Sequence, residues 1–102
     1  MQSELMKSEQ VTALAEAMLT LETGDEALRF FEDIFTIHEL QSVAQRLAVA
    51  RLLKQRVTYQ EIAERTGAST ATISRVNRCL TYGAGGYQLV LARLKERADT
   101  EE

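Results

Sequence analysis

Proline and tryptophan are absent from this 102-residue chain, cysteine and histidine occur once each, and glycine occurs five times. With no proline, and glycine only at positions 24, 67, 83, 85 and 86, long stretches carry no backbone breaker. That composition suits an all-helical protein. Cys79 has no second cysteine to pair with, which excludes an intrachain disulfide and a cysteine-based zinc site. As a nucleophile it needs a general base within reach, and the only histidine, His38, is remote in sequence. Burial of Cys79 as a small apolar residue is the expectation. His38 falls in the first turn of a helix beside Glu39. A single imidazole without partner ligands is a poor metal site, so His38 is expected at the surface. No spacing of catalytic groups stands out, and neither an enzyme nor a bound metal is expected. No apolar run approaches the roughly 18 residues that a membrane span needs. Met1-Gln2-Ser3-Glu4 lacks the basic region and apolar stretch of a signal peptide. A reducing, cytoplasmic setting without membrane contact is expected.

Hydrophobic residues make up 45% of the chain, which excludes a disordered acidic tail. The length implies a single domain over residues 1–102. A lone domain of this size buries only about two thirds of the surface its unfolded chain exposes, so a partner subunit would help it. The formal net charge of −3 argues at first against a nucleic-acid ligand. That total conceals a division. Residues 1–40 carry nine acids against Lys7 and Arg29, a net of −7. Residues 41–97 carry ten Lys and Arg against Glu61, Glu64 and Glu96, a net of +7, and Asp99, Glu101 and Glu102 follow. Such asymmetry points to a nucleic-acid surface confined to one half.

Three Ser/Thr-x-x-Glu capping boxes mark helix starts: Thr23 with Glu26, Thr36 with Glu39, and Thr58 with Glu61. Hydrophobic staples flank two of them, Phe35 with Leu40 and Val57 with Ile62. Six helices are predicted, near 3–21, 24–34, 36–55, 59–66, 69–80 and 86–97. Val11, Leu14, Ala15, Met18 and Leu21 give the first a helical apolar stripe. On the second, Ala27, Leu28, Phe30, Phe31, Ile34 and Phe35 are read as covering most of the circumference, more than one contact face can bury. Residues 1–57 are therefore expected to pack against a second copy of the chain, making a homodimer. The 86–97 helix offers a docking stripe, Tyr87, Val90, Leu91 and Leu94, with Arg93, Lys95 and Arg97 near its C-terminal end. Gly83-Ala84-Gly85-Gly86 has neither the Lys-Ser/Thr nor the preceding strand of a phosphate-binding loop, so it reads as a connector.

Residues 59–78 follow the pattern of a helix-turn-helix within 58–80. Ile62, Ala63 and Thr66 face inward from the first helix, and Ala63 is small enough for a second helix to cross close above it. Gly67 supplies the left-handed turn, Ser69 caps the second helix, and Ile73 and Val76 anchor that helix to the core. The opposite face presents Ser69, Thr70, Ala71, Thr72, Ser74, Arg75 and Arg78. Small hydroxyls and Ala71 permit close approach to base edges, and the arginines reach guanine edges or phosphates. No acid lies between Glu64 and Glu96. Thr58, Tyr59 and Gln60 stand at the first helix's N-terminus, where amides and hydroxyls suit a phosphate. Lys54, Arg56 and Arg65 read either as further backbone contacts or as a solvated basic surface.

Thr36-Ile37-His38-Glu39-Leu40, Gln45-Arg46-Leu47, Gly67 through Arg75 and Val76 through Gly83 together resemble the Trp repressor family, nearest its YerC/YecD-type branch. The resemblance implies an all-α, six-helix fold and an intertwined homodimer with two protruding helix-turn-helix heads. It also implies a co-repressor pocket at Thr36, Arg46, Arg75 and Val76. In the tryptophan-responsive members two arginines, matching Arg46 and Arg75, hold the amino acid, and a glycine follows the second. Here that residue is Val76, whose branched side chain takes the indole's space. No tryptophan cofactor is therefore expected, and Arg75 is expected to contact DNA. The sequence reads as a sequence-specific regulator, expected to repress, that binds a pseudo-palindromic double-stranded site as a dimer. The alternatives are a repressor gated by tryptophan or another small molecule, and a protein-interaction module of helix-turn-helix shape.

Overall fold

A computed structural model describes residues 2–101, with side chains from Glu4 to Thr100. Among the described residues all regular structure is helical: α1 (Gln2–Met6), α2 (Glu9–Met18), α3 (Gly24–Ile34), α4 (Ile37–Lys54), α5 (Tyr59–Thr66), α6 (Thr70–Tyr82) and α7 (Gly86–Glu101). The chain divides into two compact units, Met1–Leu40 and Gln41–Glu102.

The first unit departs from expectation at its start. A single helix over 3–21 is replaced by α1 and α2, because Ser8 leaves the helical region (φ −66°, ψ 149°) and its hydroxyl accepts the Val11 amide as an N-cap. The helix then ends at Met18, with the Thr20 hydroxyl donating to the Ala17 carbonyl. The Thr36 box closes reciprocally: Thr36 Oγ1 accepts from the Glu39 amide and Glu39 Oε1 from the Thr36 amide. In the Thr23 box Glu26 reaches one residue further back, to the Glu22 amide. The Thr36 amide, and after it the Thr36 hydroxyl, hold the Glu39 carboxyl below its ordinary pKa.

The reading of α3 as apolar all round is also corrected. At 100° per residue its six apolar side chains share an arc of about 160°. Asp25, Glu26, Arg29, Glu32 and Asp33 fill the other side. Phe31 and Phe35 meet edge to face, ring centres 5.8 Å apart. No described residue of this unit is buried, and Leu28 is 67% exposed.

The core lies in the second unit. Val49, Ala50 and Leu52 of α4, Ile62 of α5, Ala68 of the turn, Ile73 and Val76 of α6 and Leu91 of α7 are buried together. Leu53, Val57, Leu80, Tyr87 and Leu94 pack around them. The end of α4 is a Schellman turn: the Arg56 amide donates to the Leu53 carbonyl and the Val57 amide to the Leu52 carbonyl. That geometry puts Arg56 in the left-handed region (φ 63°), a place glycine usually takes. Both later helices outrun their predicted ends. Helix α6 continues to Tyr82, where a Cβ on Gly83 would overlap the Cys79 carbonyl, and α7 continues to Glu101. Cys79 is exposed rather than buried, because Ile73, Val76 and Leu80 already supply the inward stripe of the longer α6.

Candidate nucleic-acid interface

The helix-turn-helix is built from the inside outward. Ile62, Ala68, Ile73 and Val76 lock α5 to α6 through the core. Gly67 turns the chain at φ +74°, with its amide donating to the Ala63 carbonyl. Thr66 staples this turn: its hydroxyl donates to the Ile62 carbonyl and accepts from the Ala68 amide. Gln45 of α4 ties the turn to the rest of the unit, its Nε2 donating to the Thr66 carbonyl at 3.1 Å. No periodicity signals this bond, because it depends on how α4 crosses α5. The Thr58 hydroxyl caps α5 by accepting from the Glu61 amide, and the Ser69 hydroxyl caps α6 by accepting from the Thr72 amide. No hydrogen bond returns from Glu61 to the Thr58 amide among the described residues, so this capping box is only half closed.

Thr70, Ala71, Ser74, Arg75 and Arg78 are all exposed. At 100° per residue they occupy an arc of about 140°, centred roughly opposite Ile73, Val76 and Leu80. The face offered outward therefore holds small side chains, two arginines and no acid. Thr72 differs from these residues. It is half-buried at the margin of the arc, and it shares a hydrogen bond with the Ser69 hydroxyl. Thr58, Tyr59, Gln60 and Ser69 are exposed at the starts of α5 and α6, as are Lys54, Arg56 and Arg65.

The four residues named for a co-repressor pocket lie in different settings. Arg46 and Arg75 are exposed, whereas Val76 is 2% exposed and belongs to the core. Thr36 lies in the first unit, where it caps α4. His38 is exposed. Among the described residues no helix is long and apolar enough to cross a membrane.

Residues 9–95 match the Trp repressor protein family. The chain belongs to that family. It is 49% identical over 96 residues to YerC, an uncharacterised protein of Bacillus subtilis strain 168, with 94% of this chain and 92% of the relative covered. This places it in the YerC-type branch. The crystal structure of a TrpR-like protein from Eubacterium eligens ATCC 27750 is 52% identical, with a TM-score of 0.86 and coverage of 90% of this chain and 95% of that one. A solved Trp repressor candidate from Staphylococcus aureus is 45% identical, with a TM-score of 0.87 and coverage of 93% and 95%. The all-α, Trp repressor-like fold expected from the sequence is therefore the observed one. Family membership indicates a regulatory protein.

Proposed function

We propose that this protein is a homodimeric, sequence-specific regulator of transcription that acts in the cytoplasm by binding double-stranded DNA, most simply as a repressor. The observation that carries this reading is the outer face of α6. It has small hydroxyl and methyl groups at the helix start, Arg75 and Arg78 one turn apart, and no acidic side chain. Thr70, Ala71 and Ser74 read base edges in the major groove, while Arg75 and Arg78 take guanine edges or phosphates. Thr58, Tyr59 and Gln60 hold the phosphate backbone at the start of α5 and set the register. Ser69 and Thr72 join the same surface, with their mutual hydrogen bond orienting the first turn of α6.

Dimerisation is supported by the first unit. It exposes Leu14, Met18, Leu28 and Ile34 and buries none of its described residues, an arrangement that a second copy satisfies. Two such chains bring two recognition helices to half-sites about one helical turn, or 34 Å, apart. The reading without a tryptophan co-repressor is supported by Val76, which fills core space where the tryptophan binders have a glycine. Selection of binding sites from random duplex DNA tests the proposal. An inverted repeat with half-sites about one turn apart is expected, and a pool without enrichment contradicts it.

A further inference from the structure

An open groove of about 700 Å³ lies between the C-terminal end of α4 and α7, within the roughly 300–1,000 Å³ range typical of small-ligand sites. Its lining has two characters. Leu91, Leu94 and Ala98 give an apolar stripe, and Arg51, Lys54 and Lys95 supply three cations. None of the residues lining it is acidic. Arg51 and Lys95 are exposed. Lys54 Nζ donates to Gln88 Oε1 at 2.7 Å, and Gln88 Nε2 donates to the Leu80 carbonyl at 3.1 Å. One wall of the groove is thereby tied to the last turn of α6, the helix that carries the outward arginines.

Three cations line the same open groove as the apolar side chains, with no acid among them to balance the charge. Water satisfies the exposed part of that apolar lining, Leu94 and Ala98 above all, poorly. A molecule with one anionic end and a short apolar body relieves both conditions. We propose that this groove is a binding site for a small organic carboxylate. Its head lies among Arg51, Lys54 and Lys95, and its hydrocarbon body lies along Leu91, Leu94 and Ala98. The carboxylate competes with Gln88 for Lys54 Nζ. Occupancy is thus felt at the Gln88–Leu80 hydrogen bond and so at the end of α6. The site is separate from Arg46 and Arg75, and its test involves no DNA, so it stands or falls apart from the regulatory reading.

The experiment is an amide nuclear magnetic resonance titration of the full chain with decanoate below its micelle concentration, and in parallel with decanol. Saturable shifts confined to 51–55, 80 and 88–98 are expected with decanoate, and none with decanol. Lys95→Gln, a change at an exposed position, is expected to weaken decanoate about tenfold by removing one charge-assisted contact. Four results overturn the proposal. They are the absence of saturable shifts, shifts confined to other residues, equal binding of decanol, or the same amides moving with protein concentration alone. The last result assigns the groove to a second copy of the chain.

Discussion

The Gln45 side-chain amide donates to the Thr66 carbonyl across 21 positions of sequence, at 3.1 Å. It fastens the middle of α4 to the last residue of α5, beside the turn on which the geometry of α6 depends. Gln45→Ala leaves that partly buried carbonyl unpaired, and is expected to cost about 1 kcal/mol. Urea unfolding monitored by circular dichroism measures the loss, and an unchanged midpoint contradicts the bond's role.

The two left-handed residues flanking α5 make opposite predictions. Gly67 sits at φ +74°, where any Cβ is strained, so Gly67→Ala should destabilise by about 1–2 kcal/mol. Arg56 already tolerates φ 63° as a side-chain-bearing residue. Arg56→Gly should therefore stabilise the fold by about 0.5–1 kcal/mol, by relieving that strain. Thermal unfolding of the two variants checks both signs at once.

The Thr36–Glu39 cap carries a pH signature. Glu39 is held below its ordinary value of 4.5 by the Thr36 amide first and the Thr36 hydroxyl second. Because the folded state depresses this pKa, its contribution to stability is present above the unfolded value and is lost as pH falls through the folded one. A carboxyl-carbon titration should place the Glu39 midpoint below 4.5, and Thr36→Ala should return it toward that value. A wild-type midpoint at or above the ordinary value contradicts the cap.

The exposed apolar face of α3 predicts how the chain associates. Leu28 is 67% exposed on a helix whose other side carries five charged residues. Leu28→Glu should cost a monomer little and should disrupt a dimer packed on this face. Sedimentation equilibrium is expected to show two copies for the wild type and a shift toward one for the variant. A wild-type monomer at all concentrations contradicts dimerisation.

Much of this was legible in the residues. Absent proline, the Thr-x-x-Glu boxes and the Gly67–Ser69 turn announce helices and a helix-turn-helix, because each acts through local backbone chemistry. What stayed hidden is either weakly signalled or tertiary. Ser8 breaks the first helix without a glutamate three residues on, so it looks like an ordinary helical serine. The one-sided face of α3 is hidden from a count of its apolar residues, which cluster at adjacent positions that only an angle separates. Cys79 is exposed because it lies about 90° around α6 from the inward stripe of Ile73, Val76 and Leu80, an angle that its small apolar side chain does not signal. The Gln45–Thr66 bond and the groove between α4 and α7 arise from helix crossing, which no single helix encodes.

Whether the outer face of α6 reads DNA is decided by salt-dependent binding. Fluorescence anisotropy should compare a selected palindromic duplex with a scrambled one between 50 and 200 mM salt, for the wild type and for Arg78→Ala. Two chains per duplex and preference for the selected sequence are expected. An affinity loss of about a hundredfold over that salt range is expected for four phosphate contacts. Arg78→Ala should weaken the selected duplex by about 1–3 kcal/mol. Equal affinity for both duplexes, or binding indifferent to salt and to Arg78, would contradict DNA reading by α6.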